Sequence, residues 1–154
     1  MNISKFTQKS VEILNNLEKI AYDFGAQEIA QEHLLYGMLT VEDSLIKKLI
    51  EKMEIDSDVF LAQVEGAVRK RPQVQGGQVY IGQDLNKVLV YAENEAKALG
   101  DEYVSVEHLF LSLLRKPSKE IKQLFHDFQI DRERFLQALS KVRGNQKVTT
   151  DNPE

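Results

Sequence analysis

The sequence predicts an all-α fold built from two pseudo-symmetric four-helix repeats. Three observations carry that reading. The chain matches itself without gaps at an offset of 75 residues, its apolar residues recur at three- and four-residue spacing, and no segment alternates as a strand would. The self-match pairs Gln8 with Gln83, Leu14 with Leu89, Ala21 with Ala96 and Gly25 with Gly100. It continues through Glu32-His33-Leu34 and Glu107-His108-Leu109, Ile46-Lys47 and Ile121-Lys122, Ile55-Asp56 and Ile130-Asp131, and Phe60-Leu61 and Phe135-Leu136. Roughly sixteen identities over about 68 pairs is several times chance and marks a duplication.

The first helix of each copy starts after a cap, Thr7 in one and Gly82 in the other. Its stripe is Leu14, Leu17, Ala21 and Phe24 in the first copy, and Leu85, Leu89, Ala92, Ala96 and Leu99 in the second, the spacing of an amphipathic helix facing a core. Gly25 and Gly100 stop these helices. The second helices are the Glu-His segments. The third follow Asp43-Ser44 and Pro117-Ser118, and the fourth follow Asp56 and Asp131, all N-terminal signals. The resulting organisation is a first repeat over 1–72, a connector over 73–81 with Pro72 and Gly76-Gly77 around it, a second repeat over 82–143, and a polar linker over 144–154.

Bulk properties narrow the function. With 154 residues, a net charge of −4 and a sequence pI near 5.5, the chain is not a general nucleic-acid binder. It has no cysteine, which removes disulfides, thiolate metal sites and thiol catalysis together. No apolar run approaches the roughly 20 residues that cross a bilayer, and the N-terminus lacks a secretory core. A cytoplasmic protein is expected. The basic run Arg69-Lys70-Arg71 reads first as cations complementing a helix C-terminus and only second as a binding patch.

The Glu-His pairs are the one constellation that raises chemistry. A zinc site needs three or four ligands, with helical histidines at i, i+4, and neither His33 nor His108 has such a partner. Ser105 is placed as an N-cap, which puts Glu107 in the first turn, where a carboxylate favours the positive helix end. Ala30 stands at that place in the first copy and caps less well. The pairs therefore read as architecture, with a partner-binding role for Glu107 as the alternative and with no metal or catalytic residue assigned. Walker A and GxSxG motifs are absent.

One departure from the repeat stands out. Asn15 and Asn16 correspond to Val90 and Tyr91, which add apolar surface beside the stripe of the second copy. Such surface marks either a docking groove or packing against the other copy or the connecting segment.

The repeated "EHLL" and "EHLF", with Phe6-Thr7 opening the first helix, resemble the N-terminal domain of the Clp ATPases, the double Clp-N motif, along essentially the whole chain. "QDLNKVLVYAENEAKALGDEYVSVEHL", the Arg-Pro-Gln-Val connector and "VRGNQKVTTDNPE" are similar to the ClpB branch of that family. The resemblance implies a monomeric, substrate-recruiting domain of a hexameric AAA+ disaggregase that engages unfolded or aggregated polypeptides and works with a DnaK-type chaperone system. It implies no enzyme activity or cofactor in this segment, ATP belonging to AAA+ domains elsewhere in such a protein. It also implies a shallow apolar groove with polar residues at its rim, for which the matching positions are Thr7, Asp101 and Glu107, with Leu89, Val90 and Tyr91 as apolar contacts. The alternative within the family is a ClpC- or ClpA-like domain that recruits adaptors or marked substrates for proteolysis. Two positions depart from the family pattern, Gly82 where a hydroxyl cap is usual and Ala30-Gln31 before the first "EH".

Overall fold

Residues 3–74, 76–144 and 146–152 are described by the structure, a computed structural model. Among them are nine α-helices and two short strands. The first copy holds α1 (Gln8–Asn15), α2 (Leu17–Asp23), β1 (Glu28–Ile29), α3 (Gln31–Thr40), α4 (Leu45–Lys52) and α5 (Ser57–Arg69). After it come β2 (Tyr80–Ile81), α6 (Gln83–Ala98), α7 (Val106–Arg115), α8 (Lys119–Asp127) and α9 (Arg132–Arg143).

The expected first helix of copy one is thus two helices, whereas its counterpart α6 is continuous. The break falls at Asn16, whose N–H reaches back to the Ile13 carbonyl at 3.1 Å. That three-residue closure is tighter than an α-turn, and an Asn pair holds a helix poorly. Val90 and Tyr91 occupy the same positions in α6 and carry it through. The expected stops are as read: Gly25 and Gly100 have φ of +72° and +73°, a conformation that excludes most side chains.

Most starts follow the residues read as caps. Ser44 Oγ accepts from the Lys47 N–H at 3.0 Å, Asp56 from Asp58 and Val59 at 3.0 and 3.2 Å, and Asp131 from Arg134 at 2.8 Å. Ser118 starts α8 without a side-chain cap bond.

The strands correct the expectation of none. β1 and β2 pair in parallel, with Glu28 opposite Tyr80 and Ile29 opposite Ile81. Two residues are too few to alternate visibly. The Phe6–Val104 bridge is the same pairing in the other copy, since 6 and 81, and 29 and 104, differ by 75. Each copy's leading segment therefore pairs with the other copy rather than with its own.

Both copies share one apolar core. Ile13, Leu34, Leu35, Met38, Ile46, Leu49, Phe60 and Val64 bury against Leu85, Val88, Leu109, Phe110, Ile121 and Phe135. Phe60 meets Phe128 edge-on at 5.0 Å across the two copies, and Phe110 stacks on Phe135 at 4.4 Å. Within the stripes, Leu14, Phe24 and Leu99 are half-buried, and Ile13, Ile20 and Val88, outside the expected stripes, are buried.

Polar joints fix the copies together. Gln31 is 1% exposed, and its amide donates to the carbonyls of Asp84 and Lys116, both at 2.9 Å. Its carbonyl accepts from the Ser118 N–H at 2.8 Å. Arg134 bonds the Met53 carbonyl of the opposite copy. No described helix is long and apolar enough to cross a membrane.

Candidate functional site

In both copies the histidine of the Glu-His pair sits at the third position of its helix and reaches back to the N-cap. His33 Nδ1 accepts from the Ala30 N–H and His108 Nδ1 from the Ser105 N–H, each at 2.8 Å. This is the place a Glu or Gln takes in a capping box, so the imidazole is a cap. Because Nδ1 accepts, the ring hydrogen lies on Nε2. Burial holds the His33 pKa down at about 4, with the nearby Arg71 cation adding to it, and burial lowers His108 against the pull of Glu107 and Asp101.

The copies diverge at Nε2. His108 Nε2 donates to the Asp101 carboxylate at 2.6 Å, whereas His33 Nε2 is buried without a partner among the described residues. The residue matching Asp101 in copy one is Ala26. The second Asp101 oxygen holds the Arg143 guanidinium and accepts from the Val148 N–H at 2.9 Å. Burial alone would raise the Asp101 pKa, but the bonds from Arg143, Val148 and His108 together hold it below the usual value. Arg143 lies 3.6 Å from Glu107, whose other oxygen accepts from the Ser105 hydroxyl.

Thr7 joins this cluster from the other copy. Its N–H donates to the Val104 carbonyl at 2.9 Å, and its hydroxyl caps α1 by accepting from the Ser10 N–H at 3.3 Å. Thr7, Asp101 and Glu107 are therefore neighbours around one turn. All three are buried, at 1%, 7% and 5% exposure, rather than open at a rim.

Residues 146–151 lie against Asp101 and, at Gln8, beside Thr7. The Val148 carbonyl accepts from the N–H groups of Glu102 and Tyr103 at 2.8 and 3.3 Å, and its side chain is buried. Arg143 Nε donates to the Gln146 carbonyl, Lys147 Nζ to the Leu99 carbonyl at the end of α6, and the Gln8 N–H at the start of α1 to the Asp151 carbonyl. Residues 146–151, within the stretch read as a linker, are a strap of irregular main chain held against the folded body, and Asn145, Pro153 and Glu154 lie outside the described residues.

The apolar candidates lie elsewhere. Leu89 is 2% exposed and belongs to the core, so it offers no free surface. Val90 and Tyr91 are exposed on α6, roughly three helical turns from Asp101. Lys116 Nζ stands 4.9 Å over the Tyr91 ring. In copy one the matching positions Asn15, Asn16 and Val41 line a shallow cleft of about 450 Å³. Val90, Tyr91 and Lys116 are the matching residues in copy two.

The residues missed in the sequence are Arg143, Val148 and Gln31. Asp101 and Arg143 replace Ala26 and Val68, two apolar positions of the first copy. Opposite charges arriving together at matched positions was a readable signal of a pair. Among the described residues no group of three His, Cys, Asp or Glu could hold a metal. The Arg69-Lys70-Arg71 run has its first and last members in structural contacts, Arg69 on Glu65 and the Phe24 ring, and Arg71 near Glu28 and Glu32.

The Clp repeat (R) N-terminal domain family matches residues 5–128, most of the chain. The chain belongs to the Clp N-terminal domain family. Its similar relatives include the ClpB chaperone proteins of Nitratidesulfovibrio vulgaris, 41% identical, and of Bacillus cereus, 36% identical, each match covering all of this chain. The chain spans 18% of the length of each of these relatives, so it corresponds to a ClpB-type N-terminal domain. Among solved structures, the Hsp104 N-terminal domain from Candida albicans superposes with a TM-score of 0.83 at 20% identity, covering 96% of this chain and 97% of that one. A complex of the ClpV N-domain with a VipB peptide superposes with a TM-score of 0.74 at 20% identity, covering 96% and 92%. At such identities the likeness shows the Clp N-domain fold.

Proposed function

We propose that this Clp N-domain recruits unfolded or aggregated polypeptides for a ClpB-type AAA+ disaggregase, receiving them at the face around Thr7, Asp101 and Glu107. The repeats over 1–72 and 82–143 form the receiver, 73–81 joins them, and 144–154 leads toward AAA+ domains that bind and hydrolyse ATP. The observation that carries this reading is the way the face engages main chain. The N–H groups of Gln8, Glu102 and Tyr103 and the Asp101 carboxylate all bond backbone atoms of a segment without regular secondary structure. Contacts to backbone recognise any sequence, which is the requirement for a receiver of unfolded chains. Val90 and Tyr91 supply a separate apolar contact on α6. Affinity at one domain is low because the ligand is ordered on binding, and several domains around one ring compensate through effective concentration.

Anisotropy titration of this chain with fluorescent, reduced and alkylated lysozyme tests the reading. Saturable binding is expected, weakened severalfold by Tyr91→Ser with helical circular dichroism unchanged. No binding by the parent chain would overturn it.

A further inference from the structure

The strap over residues 146–151 has the contacts of a ligand rather than those of a folded element. Of its side chains only Val148 is buried, and Gln146, Lys147, Thr149, Thr150 and Asp151 are exposed. Backbone atoms make nearly all of its bonds to the receiving face: the Val148 N–H to Asp101, the Val148 carbonyl to Glu102 and Tyr103, and the Asp151 carbonyl to Gln8. One side chain, that of Lys147, adds a bond to the Leu99 carbonyl.

Such a segment gains little from burial and loses the freedom of six ordered residues, so its hold is weak. The partners it uses belong to the folded body and remain in place when it leaves. Arg143 stays in the last turn of α9 and continues to neutralise Asp101 and Glu107.

We infer that residues 146–151 are a resident competitor for the face, which a polypeptide from outside enters only as the strap departs. This rests on the function proposed above and adds its regulation. The chemistry of the competing ligand follows from the strap. It is a segment outside regular secondary structure with a β-branched apolar residue at the Val148 position, presenting its carbonyl to two N–H groups and its N–H to a carboxylate. Three residues further along, a second carbonyl meets the start of α1. Side chains elsewhere are unspecified because the strap's own point to solvent.

The strap also links the face to whatever chain follows it. A pull on that chain removes the competitor, and a captured polypeptide frees the chain.

Competition has a measurable size. If the strap occupies the face for roughly nine-tenths of the time, the apparent affinity for an outside ligand falls about tenfold. Val148→Asp removes the one buried anchor and places a carboxylate against Asp101, so the strap opens while the helices are untouched. Three measurements on the intact chain test the inference.

In the first, fluorescent, reduced and alkylated lysozyme binds Val148→Asp about tenfold more tightly than the parent, and measurable binding that is equal or weaker in Val148→Asp overturns the inference. In the second, ¹⁵N relaxation of the parent shows residues 146–151 ordered in the free protein and mobile at saturation with the lysozyme. A strap that is already mobile, or that stays ordered, overturns it. In the third, a fluorescent peptide of sequence QKVTTDN binds Val148→Asp about tenfold more tightly than the parent. If lysozyme binds neither protein but the peptide keeps this pattern, the substrate reading fails and the strap reading stands. A peptide that does not bind Val148→Asp overturns the strap.

Discussion

His108 Nε2 lies 2.6 Å from Asp101 Oδ2, and neither side chain has any accessible surface. The pair ties the end of α6 to the start of α7 and, through Arg143, to the end of α9. Asp101 is thus a structural keystone as well as a candidate ligand. Asp101→Ala leaves a buried imidazole N–H and a guanidinium without their shared acceptor. We expect a loss of about 3 kcal/mol, read as a fall in the urea midpoint at unchanged slope.

The His33 cap predicts a pH window. Its pKa is about 4 in the folded chain and near 6.5 unfolded, so between these values the unfolded state binds the extra proton. Its contribution is full above pH 6.5 and is lost as pH falls toward 4. Glu32 acts in the opposite sense. Burial raises its pKa, so the folded chain gains from its protonation as pH falls. The difference between variant and parent isolates the histidine. His33→Gln retains an acceptor for the Ala30 N–H, and its melting temperature should fall less than the parent's between pH 6.5 and 4.5.

Gly82 stands where the family favours a hydroxyl cap, and its surroundings explain why. A Cβ there would meet the Glu28 carboxylate, whose Cδ lies 2.8 Å away, and that carboxylate lies 3.4 Å from Arg71. A better cap therefore displaces an ion-paired side chain. Gly82→Thr is expected to lower stability by about 1 kcal/mol despite its capping hydroxyl. In a Glu28→Ala background the same change should be neutral or stabilising, which a double-mutant cycle by chemical denaturation would register.

Gln31 predicts the strength of the joint between copies. Gln31→Leu fills the same volume but strands two carbonyls and the Ser118 N–H, so a loss of about 2–3 kcal/mol is expected. Hydrogen exchange should show the Ser118 amide deprotected ahead of the helices.

The duplication, the glycine stops and the Ser44, Asp56 and Asp131 caps were legible because they rest on local spacing and local hydrogen bonds. The split at Asn16 was half visible: the Asn pair was noticed as a change in polarity rather than as a weak point in a helix. β1 and β2 were invisible because two residues show no period. Thr7, Asp101 and Glu107 come together and are buried, and the Asp101 carboxylate is held by Val148, more than forty positions beyond it in the chain. The sequence gives no local sign of that contact. The Gln31 joint was likewise hidden, since its three partners lie over fifty positions away and are backbone atoms.

The crossed pairing of leading segments has a historical consequence. Phe6 pairs with Val104 and Ile81 with Ile29, so in a chain holding a single copy the same pairing would leave both a leading strand and the seat for one unfilled. Two such chains brought together about a twofold axis would seat each other's strands and close both cores, which is the geometry of an exchanged homodimer. Fusing the two genes end to end would turn that encounter into an event within one molecule and free each half to drift. The Asp101–Arg143 pair, present on one side only, is the kind of asymmetry that a true homodimer could never have acquired.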